Sequence, residues 1–205
     1  MNLVETIESR TSVRNFSDQK VSIDDLREIV RLGSMAPSVN NYQPWKFVII
    51  TRQEVLTDMS NAVSKKVMQL PELHIEGAKN IKSQVEWFST FFEKAPAVIA
   101  VCLNDYVSIL EQGTQLSHDE INKQRNYPDI QSAGACIQNM LLAAVNLNLG
   151  ACWMSAPMIA SDEIASKIGL AANDKLIAMV AIGYPKNKIA PRAKKDIKDL
   201  IVEIL

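Results

Sequence analysis

The stretch "APSVNNYQPWKFVI", residues 36–49, decides how this chain is read. It follows an amphipathic helical pattern and leads into "WKFVIIT", a short apolar run rich in β-branched residues. Between the two stand Pro37, Ser38, two adjacent asparagines, Gln43 and Pro44, and Trp45 opens the run. Proline disfavours helical backbone in the residue before it, so the helix ends at Pro37 or just ahead of it. So many amides and hydroxyls exceed what a plain connector requires. The segment reads as a shaped loop between a helix and a strand, either a hydrogen-bonded turn closing the helix or a loop built to hold something.

Working outward, "VSIDDL" upstream places Ser22 as an N-terminal cap with Asp25 in the first turn. Leu26, Ile29, Val30 and Leu32 form the buried stripe of that helix. Residues 2–9 have helical spacing, and "RTSVRNF" breaks it. Downstream, residues 54–69 and 75–93 read as helices with Pro71 between them, and "AVIAVCL", 97–103, as a buried strand. Residues 104–128 are polar and irregular, the pattern of an excursion or lid. Residues 130–147 have helical spacing and a run of small residues, Ala133 to Cys136, that lets another backbone come close; this predicts a central, interfacial helix. "GACWM" and "LIAMVAIGY" are further strands around a helix near 160–168. The tail "DIKDLIVEIL" ends apolar, which predicts that it lies against a partner subunit.

The 205 residues fit one domain, 1–205, with the excursion at about 104–128. Apolar residues are 47% of the chain, enough for a globular core. The net charge of −1 gives no general attraction to nucleic acid or to anionic membranes. "AGACIQNMLLAAVNLNLGACWM" is broken by Gln138, Asn139, Asn146 and Asn148, so no membrane span is expected. Cys102, Cys136 and Cys152 are odd in number, and no C-x-x-C occurs. With no signal-peptide core in "MNLVETIESR", this predicts reduced thiols in a cytoplasmic protein.

Two short motifs carry positive charge. In an extended "RTSVR", Arg10, Ser12 and Arg14 share a face: two guanidinium forks and a hydroxyl that suit a phosphate dianion, or a solvated basic patch. In "PRAKK", Pro191 favours extended backbone and puts Arg192 and Lys194 on one side. Neither a Walker sequence nor G-x-G-x-x-G is present. His74 and His118 stand alone, so no metal site is expected, and Cys152 reads as a buried thiol rather than a nucleophile.

Taken together, "SRTSVRNF", "APSVNNYQPWKFVI", "LLAAVNLNLGACWM" and "IGYPKNKIAPRAKK" make the chain resemble the FMN-dependent nitroreductase family over nearly its whole length, residues 60–128 matching least. The resemblance implies an α+β, three-layer sandwich: a mainly antiparallel sheet flanked by helices, in a domain-swapped-tail homodimer with FMN at the interface. It places Arg10, Thr11, Ser12, Arg14, Arg192 and Lys194 around the phosphate and ring edge. Pro37, Ser38, Val39 and Asn41 would border the flavin held mainly by the other subunit, with Gln43 and Trp45 fixing that loop. Trp153, Met154, Ser155 and Ala156 would run along the ring near N5. Ser155-Ala156 departs from the glycine, or acid and glycine, common there. The implied activity is hydride transfer from NADH or NADPH through FMN to a small-molecule electron acceptor of nitroaromatic or quinone type, with ping-pong kinetics and no catalytic side chain required. The same scaffold also serves flavin-dependent dehydrogenases and dehalogenases, and a non-catalytic flavin binder is a further alternative.

Overall fold

In the computed structural model, which describes residues 1–71 and 77–204, strands β1 (Trp45–Ile50), β2 (Ala97–Asn104), β3 (Gly150–Met154) and β4 (Asp174–Gly183) form one sheet in the order β1-β2-β4-β3. All three pairings are antiparallel. Successive side chains in a strand point to opposite faces, and here both faces are apolar. From β2, Ala97, Ile99 and Val101 face one core, and Val98, Ala100 and Cys102 face the other. Helices therefore cover the sheet on both sides. The helices are α1 (Leu3–Ser9), α2 (Ile23–Gly33), α3 (Gln53–Gln69), α4 (Ala78–Thr90), α5 (Ile109–Gly113), α6 (His118–Gln124), α7 (Pro128–Asn146) and α8 (Ser161–Lys167). Leu26 and Ile29 of α2 and Ile137 and Met140 of α7 fill one side. Leu56, Met59 and Val63 of α3 and Ile164 of α8 fill the other. This is the α+β three-layer sandwich expected.

Local chemistry sets the helix ends. Ser22 Oγ accepts from the Asp25 N–H at 3.0 Å, and Asp24 and Asp25 sit in the first turn of α2, where the helix dipole favours them. Contact between α2 and α7 depends on Gly33, where a Cβ would lie 2.5 Å from Met140 Cγ. The small residue that admits the neighbour is thus on α2 as well as in the 133–136 run.

The segment 104–128 is not irregular. Ser108 with Glu111 and Ser117 with Glu120 form reciprocal capping boxes that start α5 and α6. His118, expected to stand alone, is bonded on both ring nitrogens: Nδ1 is 2.8 Å from Glu111 Oε1 and Nε2 is 2.8 Å from Asn122 Nδ2. The buried Tyr106 hydroxyl donates to Asn122 Oδ1 at 3.1 Å. The bond to His118 holds the Glu111 carboxyl below the usual carboxylate range. His74 and the first residues of the helix expected from 75 lie outside the described residues. The tail past β4 carries Ile197, Leu200, Ile201, Val202 and Ile204 exposed on the single chain.

Candidate functional site

The site is built where the first extended segment meets the sheet edge. Ser12 bridges Ala151 of β3 in parallel, and the Val13 N–H donates to the Ala151 carbonyl at 3.0 Å. Farther on, the Ser17 N–H donates to the Tyr184 carbonyl at 2.8 Å, and the Lys186 N–H to the Asn15 carbonyl at 3.1 Å. Residues 12–17 thus cover the edge of the sheet, with Val13 and Phe16 buried in the core. Period-two alternation then turns Arg10, Ser12 and Arg14 outward, as the sequence predicts.

Those residues line a cleft with two adjoining parts. The first, about 550 Å³, is walled by Ile130, Gly134, Ile137, Gln138 and Leu141 of α7, by Trp153 and Ser155, and by Ile177 and Ala178 of β4, with Arg10 and Ser12 at its end. The second, about 690 Å³, shares Arg10 and Ser12 and adds Thr11, Arg14, Arg192 and Lys194, with Trp87 and Phe88 as an aromatic wall and Glu8 at its margin. The two basic motifs, far apart in sequence, therefore face one space. None of Arg10, Arg14, Arg192 and Lys194 has an ion-pair partner among the described residues. Unneutralised cations converging on one concavity favour an anion there over a cation. The neighbouring part is a largely apolar slot.

A β-bulge shapes that slot. Val101 pairs with Ala178 and Cys102 with Leu176, so Ile177 is an extra residue in β4. Ile177 and Ala178 consequently face the same core side and both line the slot. Strict alternation would have sent one of them away.

Trp153 and Ser155 line the cleft. Met154 points its side chain into the opposite core, so only its backbone is available to a ligand. Ala156 is exposed at the start of a turn and does not line the cleft. Burial pushes the Cys152 thiol up, against the pull of Arg14, a hydrogen bond with Ser12, and Arg10.

The loop 36–44 does not line the cleft of its own chain, nor does any described residue of 104–128. Asn40, Asn41 and Gln43 have φ of 51°, 55° and 54°, left-handed conformations that non-glycine residues rarely adopt. Ser38 Oγ accepts from the Gln43 N–H at 2.9 Å, and Gln43 Nε2 reaches Asn41 Oδ1 at 3.3 Å, so the loop is held by its own polar groups. Its Val39 N–H donates to Ser132 Oγ of α7 at 3.3 Å. Pro37 and Asn41 are left exposed. Strained backbone held in place this way is a mark of functional loops.

Sequence reasoning missed Gln138, Trp87 and Phe88. The aromatic pair stood in "EWFSTFF", which carries no motif; only tertiary packing brings it to Arg14.

Residues 7–184 match the Nitroreductase family. A protein of Archaeoglobus fulgidus named as an NADH dehydrogenase/NAD(P)H nitroreductase is 27% identical over 190 residues, 89% of this chain and 84% of that one. An iodotyrosine deiodinase of Hydra vulgaris is 25% identical over 197 residues, 93% of this chain and 68% of its own. Among solved structures, a BluB-like flavoprotein of Clostridium difficile 630 superposes with a TM-score of 0.88 at 29% identity, covering 100% of both chains. A protein described as a nitroreductase from Desulfovibrio desulfuricans, in complex with FMN, superposes with a TM-score of 0.68 at 25% identity, covering 100% of this chain and 98% of its own.

Proposed function

This chain belongs to the nitroreductase family, and from that premise we propose that it is a flavin oxidoreductase that takes hydride from NADH or NADPH and passes it to a small organic acceptor. The observation that carries this reading is the two-part cleft: four cations without ion-pair partners among the described residues, beside a largely apolar slot. A cofactor with a phosphate at one end and a planar aromatic body at the other has that shape. FMN is such a molecule, and when bound it supplies the hydride chemistry at its N5. In this assignment Arg10, Thr11, Ser12, Arg14, Arg192 and Lys194 bind the phosphate and the ring edge. Trp153 and Ser155 border the ring, and Met154 contributes backbone only. Ile137, Leu141 and Ile177 exclude water from it. In this reading one slot serves reduced nicotinamide and acceptor in turn, which gives ping-pong kinetics.

Pro37, Ser38, Val39 and Asn41 complete the cleft of a second copy of the chain in a homodimer. The exposed apolar tail supports that assembly, and so do Leu3, Val4 and Ile7 on α1. The Tyr42 ring lies 5.5 Å from Tyr106, and its hydroxyl is 3.4 Å from the Asp105 carbonyl. Segment 104–128 therefore packs against that loop, and it is the part proposed to select the acceptor.

The test is the absorbance spectrum of the purified protein, followed by anaerobic titration with NADH and NADPH and then with acceptors. A bound flavin that either nucleotide bleaches and menadione or a nitroaromatic restores supports the reading. Iodotyrosine deiodinases among the relatives make reductive dehalogenation the second reading. Iodide release from an iodinated tyrosine, with no quinone turnover, would select it. A yellow protein that neither nucleotide reduces would be a flavin carrier.

A further inference from the structure

Among the described residues, Arg14 differs from the other three cations of the cleft in having an aromatic ring against it. Its Cζ lies 5.5 Å from the centroid of Phe88, within cation–π range. Phe88 meets Trp87 edge-on, with centroids 4.8 Å apart and planes at 82°. Trp87 in turn packs on Phe91 at 6.1 Å, and Phe91 is buried in the core beneath α3 and α4. An unbroken aromatic run thus leads from the core to one guanidinium. Trp87 and Phe88 are themselves about half exposed, at 53% and 46%, and both line the basic part of the cleft.

The chemistry of arginine gives this run a purpose. An unpaired arginine samples many rotamers, and fixing it on an incoming anion loses that freedom. A ring against the guanidinium face restricts it in advance. A guanidinium that meets a ring with its face keeps its edge, the donor fork, for hydrogen bonding to phosphate. Lysine, a strongly hydrated point charge with no planar face, would use the ring less well.

We infer that Phe88 is a positioning residue for phosphate recognition: its ring, braced by Trp87, holds the Arg14 guanidinium oriented toward the anion in the basic part of the cleft. The inference rests on the FMN reading above and makes a narrower claim. Phe88 acts through Arg14, so it matters for the phosphate and not for the flavin ring.

The test compares FMN with riboflavin, which has the same ring and no phosphate. Dissociation constants are measured by flavin fluorescence on flavin-stripped full-length protein. The proteins are wild type, Phe88→Leu, Phe88→Trp, Arg14→Ala and the Arg14→Ala/Phe88→Leu double variant, each checked by thermal melting. Leucine keeps apolar bulk without a π face, and tryptophan keeps the face. Phe88→Leu should weaken FMN about two- to fivefold and leave riboflavin unchanged. Phe88→Trp should bind FMN as wild type does, and Phe88→Leu should add nothing once Arg14 is alanine. Equal weakening of FMN and riboflavin would make Phe88 a wall of the flavin slot and overturn the inference. The same FMN loss in the Arg14→Ala background, or no loss at all, also overturns it. Failure of the underlying reading appears earlier and separately, as wild-type protein that binds riboflavin as tightly as FMN.

Discussion

Replacing Gly150 by alanine tests whether the close approach of residues 12–13 to β3 is what sets the cleft. A Cβ at Gly150 would lie 2.6 Å and 2.9 Å from the two γ carbons of Val13 and 2.8 Å from its Cβ. Because Cβ is among the clashing atoms, no Val13 rotamer relieves the contact. The segment must retreat by roughly 1 Å to reach ordinary carbon–carbon distance. That movement strains the Val13 N–H bond to the Ala151 carbonyl, now 3.0 Å, and carries Ser12 and Arg14 with it. Overpacking of this kind costs about 1–3 kcal/mol. In a chain of this length each kcal/mol is about 2–4 °C, so Gly150→Ala should melt roughly 2–12 °C below wild type. FMN should bind about tenfold more weakly, as when one charge-assisted phosphate contact is misplaced. The assay is thermal melting with and without FMN, together with FMN titration. Gly113→Ala is the control: it lies in α5 with nothing within 4 Å of a new Cβ, and it should be neutral or slightly stabilising. A Gly150→Ala protein that melts and binds FMN as wild type does would refute the reasoning.

Further expectations concern the cations, the α5–α6 segment and the thiols. Arg14→Ala should weaken FMN by about tenfold or more, since a charge-assisted bond contributes roughly 1.5–3 kcal/mol; unchanged affinity in both Arg10→Ala and Arg14→Ala, measured by titration, removes the phosphate assignment. Tyr106→Phe strips buried Asn122 of the hydroxyl at 3.1 Å and should cost about 1–3 kcal/mol, seen as a lower melting temperature and faster proteolysis within 105–127. Burial pushes the Cys102 thiol up to about 11, with Asp174 adding to the rise and Lys46 opposing it, and burial pushes Cys136 up to about 12, from an ordinary 9.0. Both thiols stay protonated in the fold after they would ionise unfolded. Their stabilising contribution is therefore complete below pH 9 and is lost as pH rises through 11 and 12. Urea melts from pH 7 to pH 10.5 should show a decline that a Cys102→Ala/Cys136→Ala variant lacks, after correction for its lower starting stability.

The amino-acid sequence alone determined what depends on neighbours along the chain. The Ser22 cap, the stripe of α2, the apolar strands and the outward face of Arg10, Ser12 and Arg14 all follow from local periodicity and hydrogen-bonding chemistry. The capping boxes of α5 and α6 were equally local, but the polar composition around them masked the signal, and 104–128 read as irregular. The layered architecture and the flavin reading came from the resemblance that four motifs carry jointly. The tertiary structure decided whatever needs two distant segments at once. Pairing of Ser12 with Ala151 puts "RTSVR" beside Trp153 and Ser155. The bulge at Ile177 arises in the pairing of two strands, so a period-two reading of β4 alone does not contain it. The aromatic face that meets Arg14 belongs to a helix whose sequence names no ligand. His118 gained Glu111 one turn-and-loop away, a partner that helical spacing does not suggest. Local sequence specifies which face of an element is apolar and how it begins; register, bulges and long-range contacts are set by packing energies summed over the whole core, which no single segment carries.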